Sequence, residues 1–535
     1  MRNKILPALL LSLCASSASY AQIFVTGIIE KVADIRSGGS GSYPIYLTNY
    51  NSDIYFSAQT TASDKELWKT GGTAATTALL KDLNPGAGGS FPRHFMAMNG
   101  NLYFLATDGT KILVWKTDGT AAGTQQVSNN DMLDELFVYN NMLLFAGVGA
   151  NGAELWKSDG TSAGTSEVID LSPGVDNSSP TGFTQLDTRV VFAASTDGSN
   201  YVPCITDGTA LGTEALSTTV NVLAPTTLYS EYTGKEHSNF CVFNGEAYFA
   251  ANDGTNGYEL WKTDGTPAGT VMVKDIAPAA DASMPGGFKV FNGKLYFSVN
   301  TGNPAIDGLW TTNGTAAGTG RLKGGITMGD GDVIEYAEAN GNLYFAANGK
   351  LWVTDGTISG THVMTDSPDD PKRFAVLNNK VFFFATTSIM PTMFSLFFVD
   401  NMNMLSPGSA PFSNTVLPVI HSDTMNNSLY FGIAMATSPS DVELYRFKDT
   451  TFELAVNEVS AQAASNIYPN PATNTFSVKL ADNKNASVYV YSLSGQLLLQ
   501  TKRTEDIDIA QLPAGIYTVQ IINGGQVSVG KLRKQ

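Results

Sequence analysis

Cysteine is almost absent: Cys14, Cys204 and Cys241 are the only three in 535 residues, which excludes a disulfide-built scaffold of the kind small exported domains use. Histidine is nearly as rare. His94, His237, His362 and His421 share no metal-type spacing with each other or with a cysteine, so no metal centre is expected. Positive charge is short too, with 32 Lys and Arg against 48 Asp and Glu and a formal charge of −16. A surface that acidic repels phosphate backbones, and no basic, aromatic-interleaved stripe offsets it, so nucleic acid is not an expected partner. Outside the N-terminus no apolar run approaches the ~18 residues of a membrane helix. Neither a Gly-x-Ser-x-Gly elbow nor a His-Glu-x-x-His motif occurs, which removes two common routes to hydrolysis.

The exception at the N-terminus is short. Arg2 and Lys4 precede an apolar stretch from Ile5 to Ala15, and Ser19-Tyr20-Ala21 offers small residues for cleavage between Ala21 and Gln22. Residues 1–21 therefore read as a secretory signal peptide. Its removal takes away Arg2 and Lys4 and no acid, moving the charge from −16 to −18. Cys204 and Cys241 would then meet an oxidising compartment, where a bridge could form. Two small buried hydrophobes, one of them standing in for a Trp, is the simpler reading.

What the chain does have is repetition. Its six tryptophans, Trp68, Trp115, Trp156, Trp261, Trp310 and Trp352, all occupy one slot of a phrase close to Glu-Leu-Trp-Lys-Thr-Asp-Gly-Thr-x-Ala-Gly-Thr, and Cys204, Phe397 and Tyr445 hold the same slot in weaker copies. Upstream of each lies an Asn-Gly-x-Leu-Tyr-Phe run or a relative of it, whose apolar alternation and aromatic content predict a strand. Aligning the last aromatic gives nine units, at Phe56, Phe104, Phe145, Phe192, Phe249, Phe297, Phe345, Phe383 and Phe431. The slots lie 41 to 57 residues apart, about the length of a four-stranded propeller blade.

The expected fold is therefore all-β, a β-propeller over residues 24–456 with eight or nine blades. Across the third unit and its neighbours, Gly182 to Leu186, Val190 to Ala194, Leu155 to Ser158 and Ser166 to Ile169 supply the four kinds of strand. Closure could come from the last degenerate unit or from an early strand at Lys31 to Ile35. Asp118, Asp159, Asp207, Asp264 and Asp355 open the turn between third and fourth strands, where Asp and Thr satisfy local amides and Gly takes positive φ. One carboxylate per turn falls short of the six to eight oxygens of a calcium site. The Trp slot suits packing between adjacent blades.

The phrase, carried by Glu66-Leu67-Trp68, Glu154 to Thr161 and Glu259 to Thr266, resembles the ELWxxDGT repeat family of secreted bacterial proteins. That resemblance implies a repeat architecture and no particular ligand. The turn also resembles the Asp-box of sialidase propellers, which raises a hydrolase as a competing class. A sialidase needs an arginine cluster, however, and Arg36, Arg93, Arg189, Arg321, Arg373 and Arg446 fall in no recognisable motif.

After Glu458 the Trp phrase stops, and 457–465 reads as a small polar linker. Residues 466–535 then alternate strands with Gly and Pro turns, predicting a small Ig-like β-sandwich. Four motifs stand out: Tyr468-Pro469-Asn470-Pro471; Val488 to Gln496 with Gly495; Leu512-Pro513-Ala514-Gly515-Ile516-Tyr517; and Lys531-Leu532-Arg533-Lys534. In this order they resemble the type A C-terminal sorting domain of the type IX (Por) secretion system of Bacteroidetes. The resemblance implies export through the periplasm, with that machinery as a partner and a secreted or outer-membrane surface destination.

One loop breaks the repeat. The interval from Cys204 to Trp261 is the longest, and its excess, around Thr226 to Asn239, carries Tyr229, Tyr232, Lys235, Glu236 and His237. Such a loop on a rigid scaffold suits recognition. Asp423-Thr424-Met425 and Asp449-Thr450-Thr451 also match a short O-glycosylation pattern of that phylum. The sequence reading is thus an exported, monomeric, non-catalytic propeller with no cofactor, binding or adhering to a glycan, polymer or protein. An extracellular glycoside or polymer hydrolase and an architectural surface-layer component are the alternatives.

Overall fold

The structure is a computed structural model. It describes residues 27–61, 64–86, 88–133, 135–174, 176–223, 240–278, 280–326, 335–364, 368–386, 393–399, 405–407, 412–413, 423–425, 427–434, 440–449, 467–480, 486–491, 497–523 and 526–535. The signal peptide, the linker and residues 229–237 fall outside these. Two compact units are present, the larger spanning Gly27–Glu453.

Each blade begins with a hairpin whose turn is written in the sequence. At Asn99 and Gly100 φ is +48° and +76°, the two left-handed residues a type I′ turn requires, so Met98 pairs with Asn101 and Phe104 falls opposite Trp115. The same cross-strand pair recurs nine times, including Phe56 with Trp68, Phe192 with Cys204, Phe383 with Phe397 and Phe431 with Tyr445. Nine four-stranded antiparallel blades result, of which the seventh and eighth join into one sheet through Lys350 and Asp369. Blade one comprises Ile45–Tyr50, Asp53–Gln59, Lys65–Thr70 and Ala78–Lys81.

Blades stack through opposite faces. Tyr55 and Leu67 of blade one pack against Phe104 and Trp115 of blade two, and Tyr430 and Leu444 of blade nine pack against Phe56 and Trp68 of blade one in the same way. The ring is closed. Its last blade is composite: Asp423–Met425, Ser428–Ile433 and Glu443–Asp449 come from the end of the repeats, and Gly27–Ala33 supplies the outer strand. The closing strand thus lies at Gly27–Ala33 rather than Lys31 to Ile35, because pairing with Glu443–Asp449 ends in a bulge between Lys31 and Ala33. The last unit and the early strand share one blade.

The six tryptophans are 7% to 9% exposed. Their indole N–H groups are not what selects them. Those of Trp68, Trp115, Trp156 and Trp261 have no hydrogen-bond partner, which fits the acceptance of Cys, Phe and Tyr in the slot and leaves bulk as the requirement.

The smaller unit is a sandwich. Ile467–Tyr468, Thr475–Val478 and Ile507–Asp508 form one sheet; Leu497–Thr501, Ser487–Tyr491, Gly515–Asn523 and Gln526–Lys534 form the other. Phe476, Val488, Val490, Val519, Ile521 and Leu532 fill the space between them.

Candidate functional site

The repeat's carboxylates fall into two sets, and both are bound. In the turn after the third strand, Asp118 Oδ1 accepts from the Thr120 amide at 2.8 Å and its hydroxyl at 2.7 Å, and Asp159, Asp207, Asp264 and Asp355 do the same with their threonines. Asn313 substitutes through its Oδ1. The glycine is required twice over: Gly119 has φ +95°, and a Cβ there would stand 2.7 Å from the Tyr55 hydroxyl of the preceding blade.

The second set was not singled out from sequence. Glu66, two residues before Trp68, is buried and accepts from Leu83 N at 2.7 Å, Ser90 N at 2.8 Å and Ser90 Oγ at 2.5 Å. Glu154 holds Leu171 and Ser178, and Glu259 holds Ile276 and Ser283, in the same geometry. Each clasps the crossover into the next blade. Glu443 closes the series across the seam, accepting from Ser42 Oγ at 2.6 Å, Ser42 N at 3.1 Å, Ile35 N at 3.2 Å and Arg36 N at 3.3 Å. Blade seven inverts the chemistry, with Lys350 in the Glu slot paired to Asp369 in the Ser slot.

Clasped crossovers leave blades one, three, five, seven and nine. Each enters an inner strand through Ser-x-Pro or Asp-x-Pro with two left-handed residues: Tyr43 and Tyr46, Phe91 and His94, Ser179 and Gly182, Met284 and Gly287, Asp370 and Arg373. Blades five and three interrupt their inner strand instead. In blade five Asn221–Val222 and Cys241–Phe243 pair with opposite ends of Glu246–Asn252, so residues 224–239 are inserted at that break. Met132 and Phe137–Tyr139 do the same in blade three. From blade one to blade nine the clasp recurs at every second blade.

Burial raises the carboxyls of Glu66, Glu154, Glu259 and Glu443, partly offset by their serine hydroxyls. The threonine bonds lower those of Asp118, Asp159, Asp207, Asp264 and Asp355, with the hydroxyl leading at the first four and the amide at Asp355. A raised carboxyl favours the fold while protonated and loses that contribution as pH climbs through its folded value; a lowered one contributes above the ordinary value, near 4, and loses it as pH falls. The thermal midpoint should therefore rise from pH 7 toward about pH 5 and drop below about pH 4. Calorimetry across that range would expose an error as a midpoint highest at pH 7 or above.

The remaining candidates do not converge. Arg93, Arg189, Arg321, Arg373 and Arg446 lie on different blades, with Arg373 paired to Glu335 at 3.2 Å and Arg446 to Glu30. His94 is buried on an inner strand and His362 is exposed on an outer one; His237 and His421 lie outside the described residues. Cys204 and Cys241 are free thiols, so the bridge left open by the sequence does not form. Burial pushes the Cys204 thiol up to about 12 and that of Cys241 to about 11. Asp34, Asp441 and Glu443 are the one carboxylate group among the described residues that could hold a metal, and Lys31 already bonds Asp34 and Asp441 at 3.4 and 3.1 Å. In the first glycosylation pattern, Asp423 and Thr424 lie on blade nine's inner strand. In the second, Asp449 is buried against Lys380 at 3.0 Å, and Thr450-Thr451 are outside the described residues.

The C-terminal unit does bring distant motifs together. Asn470 donates from Nδ2 to Lys531 O at 2.6 Å and accepts from Arg533 N at 2.9 Å. Ala472 N bonds Arg533 O at 2.8 Å, and Gln535 N bonds Ala472 O at 2.9 Å. From the other side Lys534 Nζ donates to Ala510 O at 2.9 Å and to Leu512 O, while the Tyr517 hydroxyl donates to Pro513 O at 2.5 Å. The Tyr-Pro-Asn-Pro loop, whose two X-Pro bonds are cis, and the Leu-Pro-Ala-Gly loop thus grip one stretch, Lys531 to Gln535. Gly495 lies outside the described residues.

Residues 466–535 match the family described as the secretion system C-terminal sorting domain. This is the chain's export tag. The sorting domain marks the chain for type IX secretion, to the cell surface or beyond. No helix among the described residues is long and apolar enough to cross a membrane. No curated protein matches the chain. Among solved structures, puromycin hydrolase is 13% identical with a TM-score of 0.34 over 65% of this chain and 59% of its own. PorZ, a surface component of the type-IX secretion system of Porphyromonas gingivalis, is 11% identical with a TM-score of 0.20 over 92% and 86%. The extracellular domain of BT4673 from B. thetaiotaomicron is 12% identical with a TM-score of 0.26 over 92% and 81%. This chain spans less than two thirds of the hydrolase's length.

Proposed function

We propose that the propeller is a non-catalytic binding module, delivered to the cell surface or medium by its sorting domain to hold a glycan, polymer or protein. One observation carries the reading: the buried, perturbed carboxylates, where acid–base chemistry is normally sought, are spent on structure. Glu66, Glu154, Glu259 and Glu443 each accept three or more bonds from crossovers, and the turn aspartates bond their own threonines. A glycosidase needs two carboxyls facing a shared substrate. These face crossovers and turns.

Glycan-array binding by the purified propeller, with hydrolysis assays on every glycan retained, tests the proposal. Retention of at least one class without cleavage is expected. Turnover of a retained glycan would replace the binding reading with the hydrolase one.

A further inference from the structure

The sorting domain's last strand, Gln526–Lys534, is the edge of its four-stranded sheet, paired on one side only, with Gly515–Asn523. Residues along such an edge turn their amides and carbonyls inward and outward by turns. Arg533 N and O and Lys531 O are taken by Asn470 and Ala472, which identifies the odd-numbered residues as outward-facing. The outward groups of Val527 and Val529 and the Lys531 amide then have no strand beside them among the described residues.

Exported proteins blunt such edges with proline, lysine or a covering loop. Here the half at Lys531 to Gln535 is treated that way, by the proline-bearing loop and by Lys531 and Arg533. Along Val527 to Gly530, Val-Ser-Val-Gly, no described strand or loop is paired to that side. An uncovered half-edge beside a deliberately covered one has the form of a docking position.

We propose that Val527 to Lys531 receives a β-strand from the type IX secretion machinery, which extends the sheet by main-chain bonds. The flanks indicate the partner's chemistry. Arg533 and Lys531 are exposed, and Ile516, paired across from Arg533, is 47% exposed, as is Tyr468 at 48%. A strand with an apolar residue and acidic neighbours complements them. This docking rests on the export role of residues 466–535.

Val529→Pro in the full-length chain tests it in cells that carry the secretion system. The substitution deletes an outward N–H and leaves every bond to Gly515–Asn523 in place, so the domain should still fold. The surface and secreted fraction should fall about tenfold, with the deficit recovered in the periplasm. Export at the unsubstituted level, with the domain's thermal midpoint unchanged, overturns the proposal. Removal of residues 466–535 runs in parallel: if export survives that, the sorting role itself fails, whereas loss there combined with normal export of Val529→Pro sinks only the edge. Should Val529→Pro unfold the domain, hydrogen exchange on the unsubstituted protein decides. Rapid exchange at 527, 529 and 531 with protection at 528 and 530 is expected, and protection at all five means the edge is already covered. A dimer that Val529→Pro dissolves would assign the edge to a second copy and refute the machinery as occupant.

Discussion

Glu443→Ala should open the ring. The substitution strands the Ser42 hydroxyl and the amides of Ile35, Arg36 and Ser42 without an acceptor at a buried seam, at a cost of about 3–5 kcal/mol. Glu154→Ala removes an equivalent set of bonds between blades three and four, but there the chain itself still joins the blades. Both variants should lose similar stability, and they should differ in where it is lost. Hydrogen exchange on Glu443→Ala should show Gly27–Ala33 and Glu443–Asp449 losing protection together while blades three to six keep theirs. Uniform loss around the ring, or none, would mean the seam is held by apolar packing alone.

Deleting residues 466–535 should leave a folded propeller that no longer reaches the surface. The two units have separate cores, Phe476, Val519 and their neighbours in the sorting domain and Phe–Trp layers in the ring, so the propeller's thermal midpoint should stay within a few degrees. Fractionation should find it in the periplasm. Surface labelling at the full-length level would show that the propeller carries its own export information. Asn470→Ala addresses the same domain more gently, since it removes only the side chain bridging Lys531 and Arg533.

Much of the ring is legible in the sequence because its strongest constraints are local. Asn-Gly turns set the hairpin register, the Phe and Trp slots fall opposite each other, and Asp-Gly-Thr closes on itself within seven residues. The two-blade period escaped because it is not local. Glu66 and Ser90 are 24 residues apart, as are Glu154 and Ser178, and Glu259 and Ser283; the loops between share Asp-Leu-x-Pro-Gly or its variant Asp-Ile-Ala-Pro, but the partners meet only across a crossover. Glu443 must be matched to Ser42, 401 positions earlier. The exchange to Lys350 and Asp369 hides a fifth member behind opposite charges. An alternation of Glu with Leu113, Val202 and Gly308 in the slot two before the Trp or its substitute was one available signal, and the Asp-Leu-x-Pro-Gly text after the Glu-bearing units was another. The blade number depends on the same seam, since only the pairing of Gly27–Ala33 with Glu443–Asp449 shows that the early strand and the last unit make one blade.

That seam also orders events in time. Gly27–Ala33 is the first described strand to be synthesised, yet its partner is the last strand of the ring, a contact of nearly maximal sequence separation and correspondingly slow to form. A growing chain therefore carries an unsatisfied strand until residue 449 has been made. The sorting domain follows immediately. A product truncated anywhere in the repeats lacks both ring closure and address, so incomplete propellers cannot carry the export tag.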